Sequence, residues 1–152
     1  MTLSGGTADV SGKETTPRRA AAQSILVAPP EVIEAIRSDS LPKSGALATA
    51  RAAGLLAVKG TPLLIPHCHA IAVTSAAIDF EFAEACVTVR CEVRACDRTG
   101  PDMEALCGAA VAALTLYDVV KGVCRTARIA QTCLTEKEGG KTGPWRAEEC
   151  DG

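Results

Sequence analysis

The chain has 152 residues, 47% of them apolar but only 3% aromatic, and a formal net charge of −2. That length fits one domain, able to bury roughly 70% of its unfolded surface without metal or disulfide staples, and its core must be built from Ala, Val, Leu and Ile. Near-neutral charge, no run of 18 apolar residues and an opening, "MTLSGGTADVSGKETTPRRA", without an apolar signal core give the expectation of a soluble, cytoplasmic protein with no nucleic-acid and no membrane partner.

In chain order, residues 1–22 are polar and rich in Gly, Ser and Thr, and read as a mobile N-terminal arm. Residues 23–145 form the single domain and 146–152 a C-terminal tail. "SILV" at 24–27 suits a short strand. After Pro29-Pro30, "EVIEAIRS" is a short amphipathic helix with Val32, Ile33 and Ile36 on one side. Ser44 opens a second helix, "GALATARAAGLLAVKG", with Leu47, Ala50, Gly54 and Val58 at spacings of three and four. Gly60 is expected to end it, with Pro62 just beyond. "IDFEF" (78–82) and "VTVRCEVRA" (87–95) alternate apolar and polar around "AEAC", which predicts an antiparallel hairpin with one covered face.

"GPDMEALCGAAVAALTLYDVVKG" (100–122) reads as a helix started by Pro101-Asp102 and stopped at Gly122. Met103, Leu106, Ala110, Ala113, Tyr117 and Val120 make its core-facing stripe. "RTARIAQTCL" (125–134) is a last strand and "TEKEGGKTG" a Gly-rich loop. Helices, a hairpin and a further strand predict an α+β fold with helices packed on one face of an antiparallel sheet. The eight cysteines contain no C-x-x-C pair and are expected to be reduced packing residues.

A second stripe on the long helix, Glu104, Cys107, Val111, Leu114, Asp118 and Lys121, is apolar in its middle and charged at its ends. Asp118 and Lys121 are surface neighbours, which on spacing alone is an exposed ion pair worth at most about 1 kcal/mol. Glu104 and Asp118 lie 14 residues apart, about 21 Å along a helix. One small substrate cannot touch both from a single straight helix, so a site using both ends must cross a subunit interface or serve separate steps. Lys137 and Lys141 flank glycine-rich backbone and could hold phosphates. "GGKTG" nevertheless lacks the first half of a P-loop. In "IPHCHA" (65–70), His67, Cys68 and His69 could be a metal site, a catalytic cluster or a turn. Metal is disfavoured because neighbours in extended chain point to opposite sides and no further ligand cluster is evident.

"KSGALATARAAG", "LIPHCHA", "GPDMEAL", "AALTLYDVVK" and "GGKTG", in this order over nearly the whole chain, resemble the molybdenum cofactor biosynthesis protein C family, the cyclic pyranopterin monophosphate synthases. The resemblance implies a ferredoxin-like subunit and a lyase that converts 3',8-cyclo-7,8-dihydroguanosine 5'-triphosphate to cyclic pyranopterin monophosphate with release of pyrophosphate. It further implies a homo-oligomer, a hexamer built as a trimer of dimers, with active sites between subunits.

By that resemblance Asp118, Lys121 and Lys43 are catalytic. His67, Cys68, His69, Met103, Glu104, Asp102, Lys59 and Thr99 bind the substrate. No resident cofactor is implied, though Mg could accompany the triphosphate. The family pattern "L-C-H-P" becomes His67-Cys68-His69-Ala70 here, the usual Glu before the methionine is Asp102, the Arg that often follows Lys59 is Gly60, and the usual Thr after "EAL" is Cys107. These departures bear on substrate anchoring, and the alternative function is a catalytically silent scaffold on the same fold.

Overall fold

The computed structural model describes residues 5–148. Its elements are β1 (Thr16–Val27), α1 (Pro30–Arg37), α2 (Ala46–Leu64), β2 (Val73–Phe82), β3 (Cys86–Asp97), α3 (Asp102–Val120), β4 (Arg128–Glu138) and β5 (Trp145–Arg146). The strands form one sheet in the order β2-β3-β1-β4-β5, and every neighbouring pair is antiparallel. This is the expected α+β, ferredoxin-like arrangement: β1 and β3 are central, and α2 and α3 lie on one face.

Alternation in β3 decides its orientation, because Val87, Val89, Cys91, Val93 and Ala95 are all buried under the helices. The other face of the sheet is charged. There Arg19 reaches Glu92 at 2.7 Å, Glu136 at 2.6 Å and Glu138 at 3.2 Å.

β1 begins at Thr16, inside the stretch expected as an arm, and it is a long central strand rather than a short one. Alanine is a weak strand former. Here Ala20 and Ala22 are buried against the helix layer, where a small side chain lets α3 sit close to the sheet. β4 likewise runs on through Lys137 and Glu138, and β5 brings Arg146 out of the expected tail to pair with Glu136.

α2 does not stop at Gly60. It continues through Pro62 to Leu64, held by fully buried Thr61, whose hydroxyl donates to Ala57 O at 2.8 Å. Pro62 costs one intrahelical bond, which a single turn near the end of a helix can lose. α3 also presents a different face from the one expected. Glu104, Ala105, Gly108, Ala109, Ala112, Ala113, Leu116 and Val120 are buried, whereas Met103, Leu106 and Tyr117 are half-buried on its flank. On a helix apolar nearly all round, spacing does not select a stripe; the close approach of α2 selects the one rich in Ala and Gly. α3 is long and apolar enough to cross a membrane by composition, with a mean hydropathy of 1.6, but half of that stretch is packed inside this domain.

Among the described residues, six cysteines, at 68, 86, 91, 96, 107 and 124, are free thiols. Cys133 departs from the expectation of reduced packing residues, since it is disulfide-bonded.

Candidate active site

The start of β1, the segment after α2, the start of α3 and the loop after β4 enclose a cavity of about 930 Å³. Six of the residues expected to bind substrate line it: His67, Cys68, His69, Thr99, Asp102 and Met103. Lys59 does not, being exposed on α2, and neither does Glu104, which is buried. His67, Cys68 and His69 all line the cavity, because the chain turns here, with Cys68 N donating to Ile65 O at 3.0 Å, instead of running extended with alternate sides. Among the described residues no group of three or more His, Cys, Asp or Glu could hold a metal ion.

The cavity is cationic. Lys13, Arg18, Arg98, Lys137 and Lys141 face it against two carboxylates, Glu14 and Asp102. Lys13, Arg18 and Arg98 escaped the sequence-based expectation because the first two fell within the supposed arm and Arg98 within the connection ahead of α3. The clustering of Lys and Arg in "GKETTPRR" was the available signal. The glycine loop shapes one side. Gly139 and Gly140 have φ of 92° and 80°, and a Cβ on Gly139 would lie 2.5 Å from Pro17 O. The loop therefore passes close over β1, next to Arg18, whose Nε donates to Asp97 O at 2.9 Å.

His69 Nε2 lies 2.7 Å from Ala8 O, so the ring donates there and ties residues 8–14 along the cavity rim. Asp102 Oδ2 pairs with Lys137 Nζ at 2.5 Å, while its Oδ1 is buried and has no hydrogen-bond partner among the described residues.

The remaining expected residues assemble at the opposite end of α3. Asp118 Oδ1 meets Lys121 Nζ at 2.5 Å and Asp118 Oδ2 meets Lys43 Nζ at 3.1 Å. Lys121 foremost, with Lys43, holds the Asp118 carboxyl below its ordinary range, and Asp118 in turn raises Lys121. The cluster is more than half exposed. Large apolar side chains stand open on α2 and α3, among them Leu114 at 56%, Leu56 at 69% and Leu63 at 91% exposure. Within this chain, then, the cationic cavity and the Asp118 cluster are separate.

The model of the MoaC family matches residues 7–140. The chain belongs to the MoaC family. A Geobacter sulfurreducens protein named cyclic pyranopterin monophosphate synthase is 48% identical over 143 residues, covering 93% of this chain and 89% of that one. One of the same name from Streptomyces coelicolor is 45% identical over 137 residues, 90% of this chain and 81% of its own length. Cyclic pyranopterin monophosphate synthase 2 of Mycobacterium tuberculosis is 45% identical over 137 residues, 90% and 82%. The MoaC match starts at residue 7, so it takes in the segment that supplies Lys13 and Arg18 to the cavity.

Proposed function

We propose that this MoaC-family protein is a cyclic pyranopterin monophosphate synthase, a lyase of molybdenum cofactor biosynthesis acting on 3',8-cyclo-7,8-dihydroguanosine 5'-triphosphate. The observation that carries this is the cavity: five cations against two carboxylates, in a volume of about 930 Å³, suit a nucleotide-derived triphosphate. Lys13, Arg18, Arg98, Lys137 and Lys141 would hold the phosphates, with His67, Cys68, His69, Thr99 and Met103 around the ring system. A divalent ion such as Mg would arrive with the triphosphate, as part of the substrate.

Ring rearrangement with loss of pyrophosphate needs proton transfer. Asp118, Lys121 and Lys43 are assigned that work. Asp118, paired with both lysines, holds Lys121 and Lys43 together for that transfer. Because this cluster stands at the far end of α3, the complete site takes its catalytic lysines from a neighbouring subunit. Leu114, Leu56 and Leu63 supply apolar surface for such a contact, and the assembly proposed is a cytoplasmic hexamer, a trimer of dimers. Lys59, exposed outside the cavity of its own subunit, would reach substrate only across that contact. The silent-scaffold alternative has no observation in its favour, since the sequence keeps Asp118, Lys121, Lys43 and His69.

Incubation with the cyclic GTP-derived substrate, following pyrophosphate and pterin product together, tests the proposal. Both should form, and both should vanish in a folded Lys121→Ala protein. Tight binding without turnover would overturn the enzymatic assignment.

A further inference from the structure

Asp97 ends β3 where the chain turns towards α3, and its three oxygens hold three different parts of the cavity wall. Oδ2 accepts Ala72 N at 2.9 Å and Oδ1 accepts Arg98 N at 2.7 Å. The main-chain carbonyl accepts Arg18 Nε at 2.9 Å. Ala72 is gripped a second time, its own carbonyl accepting Cys96 N at 3.3 Å. Asp97 is not among the residues lining the cavity, whereas Arg18, Arg98 and, three residues before Ala72, His69 are.

Each bond fixes something the cavity uses. Segment 65–72 is closed at its start by Cys68 N donating to Ile65 O and at its end by Ala72, so the His67–His69 wall is pinned from both sides. Arg18 is tied through Nε, and its Nη1 lies 2.7 Å from where a Cβ on Gly140 would stand, so the guanidinium sits between Asp97 and the glycine loop. A guanidinium is planar and rigid, so fixing Nε fixes the direction of its other N–H groups. The Ala72 amide foremost, then the Arg98 amide, keeps the Asp97 carboxyl below its ordinary range, with the charges of Arg98 and Arg18 adding and burial opposing. Both carboxylate oxygens are therefore acceptors near neutral pH.

A carboxylate behind two cations has two effects of opposite sign on an anion in the cavity. Its charge cancels part of theirs and weakens the hold, whereas ordering them in advance strengthens it. We propose that Asp97 is a positioning residue of the cationic cavity: it sets Arg18, Arg98 and the His67–His69 wall in place for a phosphate-bearing ligand, and this outweighs the charge it subtracts. It rests on the proposed function only for the identity of that ligand.

The test uses the full chain as wild type, Asp97→Ala and Asp97→Asn, with pyrophosphate as the probe. Calorimetry measures pyrophosphate binding, and NMR follows amide hydrogen exchange and the Arg18 Nε–H signal. In Asp97→Ala the Ala72 and Arg98 amides should exchange about ten-fold faster, and the Arg18 signal should move. The amides of Ala20 and Val93, paired in the middle of the sheet, should stay within about two-fold of the wild type. Pyrophosphate should bind about five-fold more weakly, although the protein has lost a negative charge. Asp97→Asn offers one acceptor oxygen to two amides, so one of them should exchange faster and binding should fall between.

Pyrophosphate bound as tightly or more tightly by a folded Asp97→Ala protein would overturn the proposal, because Asp97 would then be only a counter-charge. So would exchange rising equally at Ala20 and Val93, which marks loss of the fold and not of local order. If Asp97→Ala fails to fold, Asp97→Asn decides: both amides and the affinity unchanged would refute the link. Where turnover is measurable, KM in Asp97→Ala should rise about five-fold more than kcat falls. A wild type that makes no product, or binds no pyrophosphate, would speak against the proposed function, and the amide and Arg18 signals would then judge Asp97.

Discussion

Lys137 spans the cationic cavity to reach Asp102, with Nζ 2.5 Å from Oδ2, so one of the five cations facing the ligand is already spoken for. Both side chains are about a third exposed, and such a pair contributes at most about 1 kcal/mol. A phosphate can therefore displace the carboxylate without a large cost. Asp102→Asn should free Lys137 and make the cavity more positive by one charge. The expected result is pyrophosphate bound about two- to five-fold more tightly, with a steeper salt dependence, measured by calorimetry at two ionic strengths. Weaker binding by the Asn variant would mean that Asp102 orients Lys137 for the phosphate and does not compete with it.

Asp118 is gripped by two lysines, Lys121 on one oxygen and Lys43 on the other, in a setting more than half open to solvent. Exposed pairs of this kind stabilise a fold by 0 to about 1 kcal/mol. Asp118→Ala should therefore melt within about 5 °C of the wild type while losing product formation. The sign with pH follows from the shifts. The Asp118 carboxyl is lowered, so the cluster stays charged as pH falls through the ordinary carboxylate range, and Lys121 is raised, so it stays charged as pH rises through the ordinary lysine range. Any alkaline limb set by Lys121 should move to lower pH in Asp118→Asn. Full activity in Asp118→Ala would remove this residue from the mechanism.

On the open face of the sheet, Arg19 holds Glu92 and Glu136 with its own side chain only 20% exposed. Arg19 foremost keeps both carboxyls below their ordinary range. A lowered folded-state pKa contributes stability that is present above the unfolded value, about 4.3, and lost as pH falls through the folded one. Arg19→Met should cost about 1–3 kcal/mol at pH 7, because two half-buried carboxylates lose their main cation. The loss should shrink toward pH 3, below the ordinary carboxylate range, where the unfolded chains of both proteins take up protons on these carboxyls. Urea unfolding at pH 3, 4 and 7 checks this, and a pH-independent difference would show that packing of the arginine stem, not charge, is what was removed.

How legible these features were in the sequence depended on the kind of order behind them. β3 was plain because Val87 to Ala95 keep a strict period of two over a sheet with one covered face. β1 was not, because Ala20–Ala22 hold their place by the closeness of α3, a tertiary fact no local propensity reports. Pro62 was taken as a stop because its local cost is real, whereas burial of Thr61 and Val58 keeps α2 going past it. At the site, the polar motifs announced His67–His69 and Asp118–Lys121, and the spacing of Glu104 and Asp118 already required two separate places along α3. The depth of Glu104 was hidden, since a carboxylate on a helical stripe reads as surface until its neighbours are known.

The crossing of α2 and α3 offers the sharpest test of that tertiary reasoning. A Cβ on Gly108 would lie 2.5 Å from Cys91 Sγ and 2.7 Å from Val58 Cγ2, and one on Gly54 would lie 2.8 Å from the Gly108 carbonyl oxygen. In an exposed helix, Gly→Ala stabilises by about 1 kcal/mol, because alanine is the better helix former. Here the sign should reverse. Forcing extra volume into a packed core costs about 1–3 kcal/mol. The obstacles at Gly108 are side chains already fully buried, without space to rotate away. Gly108→Ala should therefore lower Tm, with free thiol reactivity at Cys91 rising as the contact opens. Because α3 carries Asp102 and Met103 at one end and Asp118 at the other, the same displacement should weaken pyrophosphate binding and turnover together. A Gly108→Ala protein more stable than the wild type would show that the helices have room to separate, and the close crossing would lose its role in setting the two ends of the site.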